Sequence, residues 1–449
     1  MKKHLLTVAA LLASLTSQGA YSLQLRMDKS DAHYKAGETA VCNVLLLKDG
    51  KPVSGEKLLC TVKWEGVPVR RDIIECGGVS GQVPFKGEKP GWVYFGFEVL
   101  GKDGKPLRDP ALYTYKNKPG IAGEAGAMFD AEKIKAVGER PADFDEYWAK
   151  CRADLDKIPL NAKIKELELP EPHRNKVRLF AVTVDCLGNL PVTGYLALPV
   201  GARPKHCIAV VDFLSWSSSD ANRNAAISAA AEGAIGFAAT WHGLPAGRPR
   251  DFYVQELKKP EHNVLQDCNN RDKWYFRNVY FRVMRALDYV KSLPEWDGKT
   301  LIVRGGSLGG LETIVAAALD PNVTLAVAGV PAFCEFNGRR AGRRRSIPYR
   351  SEAFDRRFVE EPGIPAAMAY FDAVNFAPRI RCEIFVCTGF TDELCSPSNV
   401  YAFFNHLPDG KKFMTTDPYT GHGGTTVNVQ GDERLRKQFK EIKVRPYQP

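Results

Sequence analysis

The sequence predicts an α/β protein: a mostly parallel central sheet covered by helices, preceded by a small all-β module. Three observations lead there. The first hundred residues hold apolar runs that end in Asp-Gly hairpin signals. From about residue 165, short apolar strands alternate with helical segments. One of those strands, "TLIVRG", runs through a glycine-flanked serine into an apolar helix.

The whole chain sets the bounds. Its 449 residues are 44% hydrophobic and 25% charged, as in ordinary globular proteins, and are enough for two or three domains. Lys2, Lys3 and His4, the apolar run Leu5 to Leu15, and Ala20-Tyr21-Ser22 form a secretory signal pattern. A signal peptide is therefore expected over residues 1–22, with a mature start near Leu23 and a secreted or periplasmic location. No later stretch is apolar for the roughly 18 residues that a membrane span needs. The formal charge of +10 is spread over most of the chain, and no nucleic-acid fold motif is visible, so no nucleic-acid partner is expected. Eleven cysteines are an odd number, which leaves at least one thiol outside any disulfide framework. No Cys-x-x-Cys or His-x-x-x-His spacing occurs, so no metal site is expected. Cysteines within "CIAVV" and "CEIFVC" read as small buried hydrophobes.

Each element follows from its local pattern. Residues 23–118 read as strands. "TAVCNVLLLKDGKPV" and "WVYFGFEVLGKDGKPL" each end in Lys-Asp-Gly-Lys-Pro, and the whole suggests a sandwich that resembles an immunoglobulin-like module. Residues 119–140 read as a linker, and 141–449 as the α/β domain. In "ADFDEYWAKCRADLDKI", Phe144, Trp148, Cys151, Leu155 and Ile158 make one helical apolar face, and Asp143 with Glu146 suggests a capping box. "KVRLFAVTVD" and "VTGYLALPV" look like an antiparallel pair. "CIAVVDF", "AIGFAAT", "TLIVRG", "LAVAGV", "EIFVCTG" and "KFMTTD" read as short buried strands.

Gly305-Gly306-Ser307-Leu308-Gly309 matches G-x-S-x-G between a strand and a helix. A nucleophile elbow needs that setting, because its glycines permit the sharp turn that projects the serine hydroxyl. The expectation is an α/β-hydrolase fold with Ser307 as nucleophile. In this fold the chain order is Ser, then Asp or Glu, then His. His406 lies in the helical run "VYAFFNHL", whereas His422 lies in the loop "DPYTGHGG" after the last strand, so His422 is the expected base. Asp392 follows "EIFVC" and is the expected acid, with Glu393 the runner-up. The oxyanion hole is expected from the backbone amides of Leu308 and Trp216. No cofactor is called for.

"GGSLGG", "CTGFTDELCSPSNVYAFFNHL" and "GHGG" resemble the acetyl xylan esterase / cephalosporin C deacetylase family. Its pattern has Gly-Gly-Ser-Gln-Gly-Gly, an Asp followed closely by Cys-Pro-Pro, and a His near the C-terminus. The likeness covers roughly residues 119–435 and points to a branch with an N-terminal immunoglobulin-like module. By position it assigns Ser307, Asp392 and His422 the same roles. Leu308 stands where the family has Gln, "DFLSWS" replaces His-Gly-Tyr, and "TWHGLPAG" replaces Arg-Gly-Gln. These departures touch the pocket mouth. His242 reads either as a substrate contact or as a structural loop histidine.

The resemblance implies a secreted serine esterase that deacetylates an oligo- or polysaccharide. Two other readings stay open: a serine exopeptidase of the same fold, and a non-catalytic carbohydrate-binding protein on a hydrolase scaffold. Between Arg339 and Arg357 the chain holds eight arginines against two acids, Glu352 and Asp355. This segment reads either as a solvated loop or as a pocket rim where Arg343 and Arg344 attract an acidic glycan.

Overall fold

A computed structural model describes residues 21–108, 121–169, 171–188, 190–344, 352–423, 433–437 and 440. Nine strands come first: β1 (Tyr21–Met27), β2 (His33–Tyr34), β3 (Thr39–Lys48), β4 (Lys51–Pro52), β5 (Ser54–Trp64), β6 (Val67–Gly77), β7 (Gly81–Lys86), β8 (Gly91–Leu100) and β9 (Ile121–Phe129). They form two sheets. One has the order β1-β3-β4, with β7 also paired to β3, and the other runs β2-β9-β8-β5-β6. Buried residues such as Val44, Leu58, Val62 and Phe95 form one apolar cluster of this module.

One expectation changes here. The linker expected over 119–140 is in part a strand: Ile121–Phe129 pairs with β8 and β2. Its run of glycine and alanine carries no bulky period-two signal, which hid it. The leader expected over 1–22 lies outside the described residues except for Tyr21 and Ser22. These two open β1, paired with Lys48 and Leu47.

The rest of the chain wraps a nine-stranded sheet. Its strands are β10 (Lys163–Leu167), β11 (Val177–Val184), β12 (Val192–Pro199), β13 (Cys207–Phe213), β14 (Ile235–Ala239), β15 (Trp296–Gly306), β16 (Val323–Gly329), β17 (Glu383–Gly389) and β18 (Lys412–Asp417). The spatial order is β10-β11-β12-β14-β13-β15-β16-β17-β18. The first three pairings are antiparallel. From β14 to β18 all are parallel. Parallel strands need crossovers, and these are helical: α2 (Arg223–Ala231), α4 (Tyr275–Ser292), α5 (Leu308–Leu319) and α9 (Pro397–His406). "LIVRGG" is an interior strand flanked by β13 and β16, as expected.

The helix expected after the linker is Phe144–Asp156, with Phe144, Trp148, Cys151 and Leu155 buried. The capping box is not formed. Asp143 makes no side-chain cap and instead accepts hydrogen bonds from Arg271 and Tyr370. No disulfide joins the eleven cysteines, and most are buried. Among the described residues, no helix is long and apolar enough to cross a membrane.

Candidate active site

Ser307 sits between β15 and α5 with φ 57° and ψ −116°. A non-glycine residue there costs on the order of 1–3 kcal/mol and persists only when its surroundings hold it. Backbone bonds do so. The Ser307 N–H donates to the Gly329 carbonyl at 2.9 Å, and its own carbonyl accepts from Leu311 at 3.1 Å and Ala332 at 3.0 Å. The flanking glycines are sterically required. A Cβ on Gly305 would lie 2.5 Å from the Gly309 carbonyl oxygen, and one on Gly309 would lie 2.2 Å from that of Phe213. Leu308 is buried and is the first residue of α5, so its N–H has no acceptor within the helix.

Asp392 and His422 come from the loops after β17 and β18. Asp392 is fully buried. Its Oδ1 accepts from the Leu394 N–H at 2.8 Å and the Cys395 N–H at 2.9 Å, and its Oδ2 meets His422 Nδ1 at 2.9 Å. The two loops are tied together: Phe390 N–H donates to the Asp417 carbonyl at 2.8 Å, and Thr391 N–H to that of Thr420 at 3.0 Å. Burial disfavours the charged form of His422. The hydrogen bonds and charges of Asp392 and Cys395 together outweigh it, and the imidazole pKa rises above its ordinary range. With Nδ1 facing Asp392, Nε2 is the nitrogen left for proton transfer. Ser307, Asp392 and His422 thus sit beyond the carboxyl ends of three strands of one parallel sheet segment. The rejected candidates lie elsewhere: His406 is exposed at the end of α9, and Glu393 is bound by Lys63 and Arg344.

The loop after β13 runs beside the elbow, since Ser215 Oγ donates to the Gly306 carbonyl at 2.7 Å. The next residue, Trp216, is 36% exposed and stacks on Trp241 with centroids 4.5 Å apart and planes 13° apart. Trp241 was not singled out from the sequence: no motif marks it, and the stack exists only once two loops meet.

His242 has both ring nitrogens engaged inside the protein. It is fully buried, its Nε2 faces the Ser219 carbonyl at 3.0 Å, and its Nδ1 accepts from the Leu244 N–H at 3.0 Å. Burial lowers its pKa to about 4, which keeps it neutral. Arg343 is likewise committed inward. It is bound to Glu335, whose side chain is fully buried, and to the Lys135 carbonyl. Arg344 pairs with Glu393 at 2.8 Å, and Arg339 with Asp355 at 2.8 Å. The acids that neutralise these arginines are brought by folding, so an arginine count overstates the free charge. Arg345 lies outside the described residues.

Ligand atoms of Asp392, Cys395 and His422 all lie within 4.8 Å of one another. Such a trio has the donor types of a metal site. Here Asp392 is already engaged at both oxygens, by the ring and by two backbone N–H groups.

Residues 128–437 match the family model of acetyl xylan esterase (AXE1). Acetyl esterase Axe7A of Xylanibacter ruminicola is 27% identical over 463 aligned residues, which span 98% of this chain and 98% of that protein. The fold is similar to that of an acetyl xylan esterase from Paenibacillus sp. R4, with TM-score 0.59 and 24% identity over 69% of this chain and 98% of that one. It is also similar to acetyl xylan esterase 1 from Thermoanaerobacterium sp. JW/SL YS485, with TM-score 0.57 and 20% identity over 70% and 98%.

Proposed function

The chain belongs to the acetyl xylan esterase family and is a carboxylic ester hydrolase, and from that premise we propose that it removes acetyl groups from acetylated xylan or its oligosaccharides through Ser307, His422 and Asp392. The observation that carries the mechanism is the 2.9 Å bond between His422 Nδ1 and the buried Asp392, on the same sheet edge as the strained Ser307. Ser307 Oγ attacks the acetyl carbonyl while His422 Nε2 takes its proton. The oxyanion is met by the Leu308 amide and by an amide of the loop carrying Trp216. His422 then protonates the sugar oxygen, which leaves. Water, deprotonated by the same imidazole, releases acetate from the acyl-serine. Asp392 holds the ring in one tautomer and stabilises the imidazolium. The basic, apolar and small-residue run at residues 2–22 supports export to a compartment that holds plant polysaccharide.

A fluorophosphonate probe and acetate release from acetylated xylan test this together. The expected result is probe adduct on the Ser307 peptide and acetate release that Ser307→Ala abolishes. Labelling at another serine, or acetate release that survives Ser307→Ala, overturns it.

A further inference from the structure

The all-β N-terminal module is packed against the loops that carry Asp392 and His422. Phe390 is fully buried and belongs to the module's apolar core, together with Tyr401 and Ala402 of α9. The indole Nε1–H of the buried Trp92 donates to the Phe390 carbonyl at 2.6 Å. A Cβ on Gly126 would lie 2.0 Å from that same carbonyl oxygen, so β9 approaches it as only glycine allows. On the other side of Asp392, Lys63 Nζ meets Glu393 Oε1 at 2.8 Å, with side chains only 19% and 12% exposed. Buried Glu65 accepts from Ser398 Oγ at 2.6 Å. The base loop is gripped too: Gly126 N–H donates to the Pro418 carbonyl at 2.8 Å, and Met27 N–H to Tyr419 Oη at 2.8 Å.

These contacts bracket the acid. Phe390 and Glu393 lie two residues before and one after Asp392, and both are held by the module. We infer that the module is part of the catalytic apparatus, and that Trp92 and Lys63 are positioning residues that hold Asp392 in line with His422. The inference rests on the Ser307-His422-Asp392 reading. Its physical basis is that an orienting carboxylate works only at hydrogen-bond geometry, and a misplacement of about 1 Å can cost roughly a hundredfold in rate. The hydrolase fold supplies its own walls around the serine. Around the acid, β5, β8 and β9 of the module add walls to the hydrolase domain's own contacts through Thr420 and Arg344.

The test uses the full-length chain and 4-nitrophenyl acetate, with rates expressed per serine titrated by fluorophosphonate. Expressed this way, a partly folded preparation still reports a rate for its active molecules. Trp92→Phe keeps a ring but deletes the donor to Phe390. Lys63→Met keeps the aliphatic stem and deletes the charge, at a site where misfolding is a smaller hazard. Each is made alone and in an Asp392→Asn background. The expected result is a roughly tenfold or larger fall in kcat for Trp92→Phe, with KM within about twofold, and a smaller fall for Lys63→Met. In the Asp392→Asn background both falls vanish, because the group they position is gone. Unchanged kcat in both single variants, or the same fall in both backgrounds, overturns the inference. Failure of the underlying reading looks different: Asp392→Asn itself then turns over at the wild-type rate.

Discussion

The two halves of the candidate active site are built differently. The serine half is framed within the hydrolase sheet: Gly305 and Gly309 of β15-turn-α5 meet each other and β13 at distances that admit no side chain, and Gly329 and Ala332 hold the Ser307 backbone. The acid-base half is framed from two sides. Asp392 and His422 lie on loops tied to each other by backbone bonds and contacted from the N-terminal strands by Trp92, Lys63, Gly126 and Met27, with Trp92 and Phe390 298 residues apart in the chain. A nucleophile elbow carries its geometry with its sequence. An orienting acid takes its geometry from whatever packs against its loop.

The largest effects test the reactive groups themselves. Ser307→Ala and His422→Ala are each expected to lower ester hydrolysis by about a millionfold in kcat, read as residual acetate release by purified, folded variants. An equal loss in His406→Ala, without unfolding, would show the base to be elsewhere.

Asp392→Asn is expected to cost about ten-thousandfold, less than loss of the serine, because the oxyanion donors and the serine remain. It also shifts the pH profile. In the native chain the Asp392 carboxylate raises the His422 pKa, so kcat/KM falls as pH drops through that raised value and the base protonates. Removing the carboxylate's charge moves the acid limb to lower pH. A limb that stays put in Asp392→Asn would mean that another group sets it.

A paired substitution sharpens the contrast between the halves. Gly309→Ala and Gly126→Ala each place a Cβ against a carbonyl oxygen, at 2.2 Å and 2.0 Å. Both are expected to destabilise by about 1–3 kcal/mol through overpacking. Both should also lower kcat per titrated serine by roughly ten- to a hundredfold, although Gly126 lies outside the hydrolase sheet. Normal turnover in a folded Gly126→Ala variant would break the comparison, leaving the module as a docked neighbour.

Arg343→Ala is expected to act on stability and not on substrate choice. It leaves the fully buried Glu335 without its cation, a loss of about 3–5 kcal/mol by denaturant unfolding. A change in KM for an acidic glycan, with stability unchanged, would restore the substrate reading.

The smallest effect is at His242. Burial holds its pKa near 4 in the folded chain, against about 6.5 when exposed. The unfolded chain therefore binds a proton that the folded chain refuses. Stability present above about pH 6.5 is lost as pH falls towards 4, amounting to roughly 2 kcal/mol by about pH 5. His242→Gln should shrink the difference in Tm between neutral and mildly acid buffer. An undiminished difference would assign the acid sensitivity to other groups.

The sequence by itself determined a good deal. The turn at Ser307 was legible because glycines, strand and helix sit within one contiguous stretch. The Asp392–His422 pair was legible because chain order and loop position after β17 and β18 are properties of the strand pattern. The hydrolase strands were legible because parallel strands buried on both faces read as continuous apolar runs. Tertiary structure decided the rest. Strand β9 was missed because it is made of small residues, one of which, Gly126, allows a close approach to Phe390 that no local pattern encodes. Arg343 was left between a solvated loop and a pocket rim, because its partner Glu335 reaches it through a loop with positive φ at Phe333 and Glu335. His242 was left open between two roles, and only the closing of two loops around it supplied both its partners. Local sequence sets the turns and the periodicities. Which charge neutralises which, and which module steadies the acid, depends on surfaces that meet only after the chain has folded.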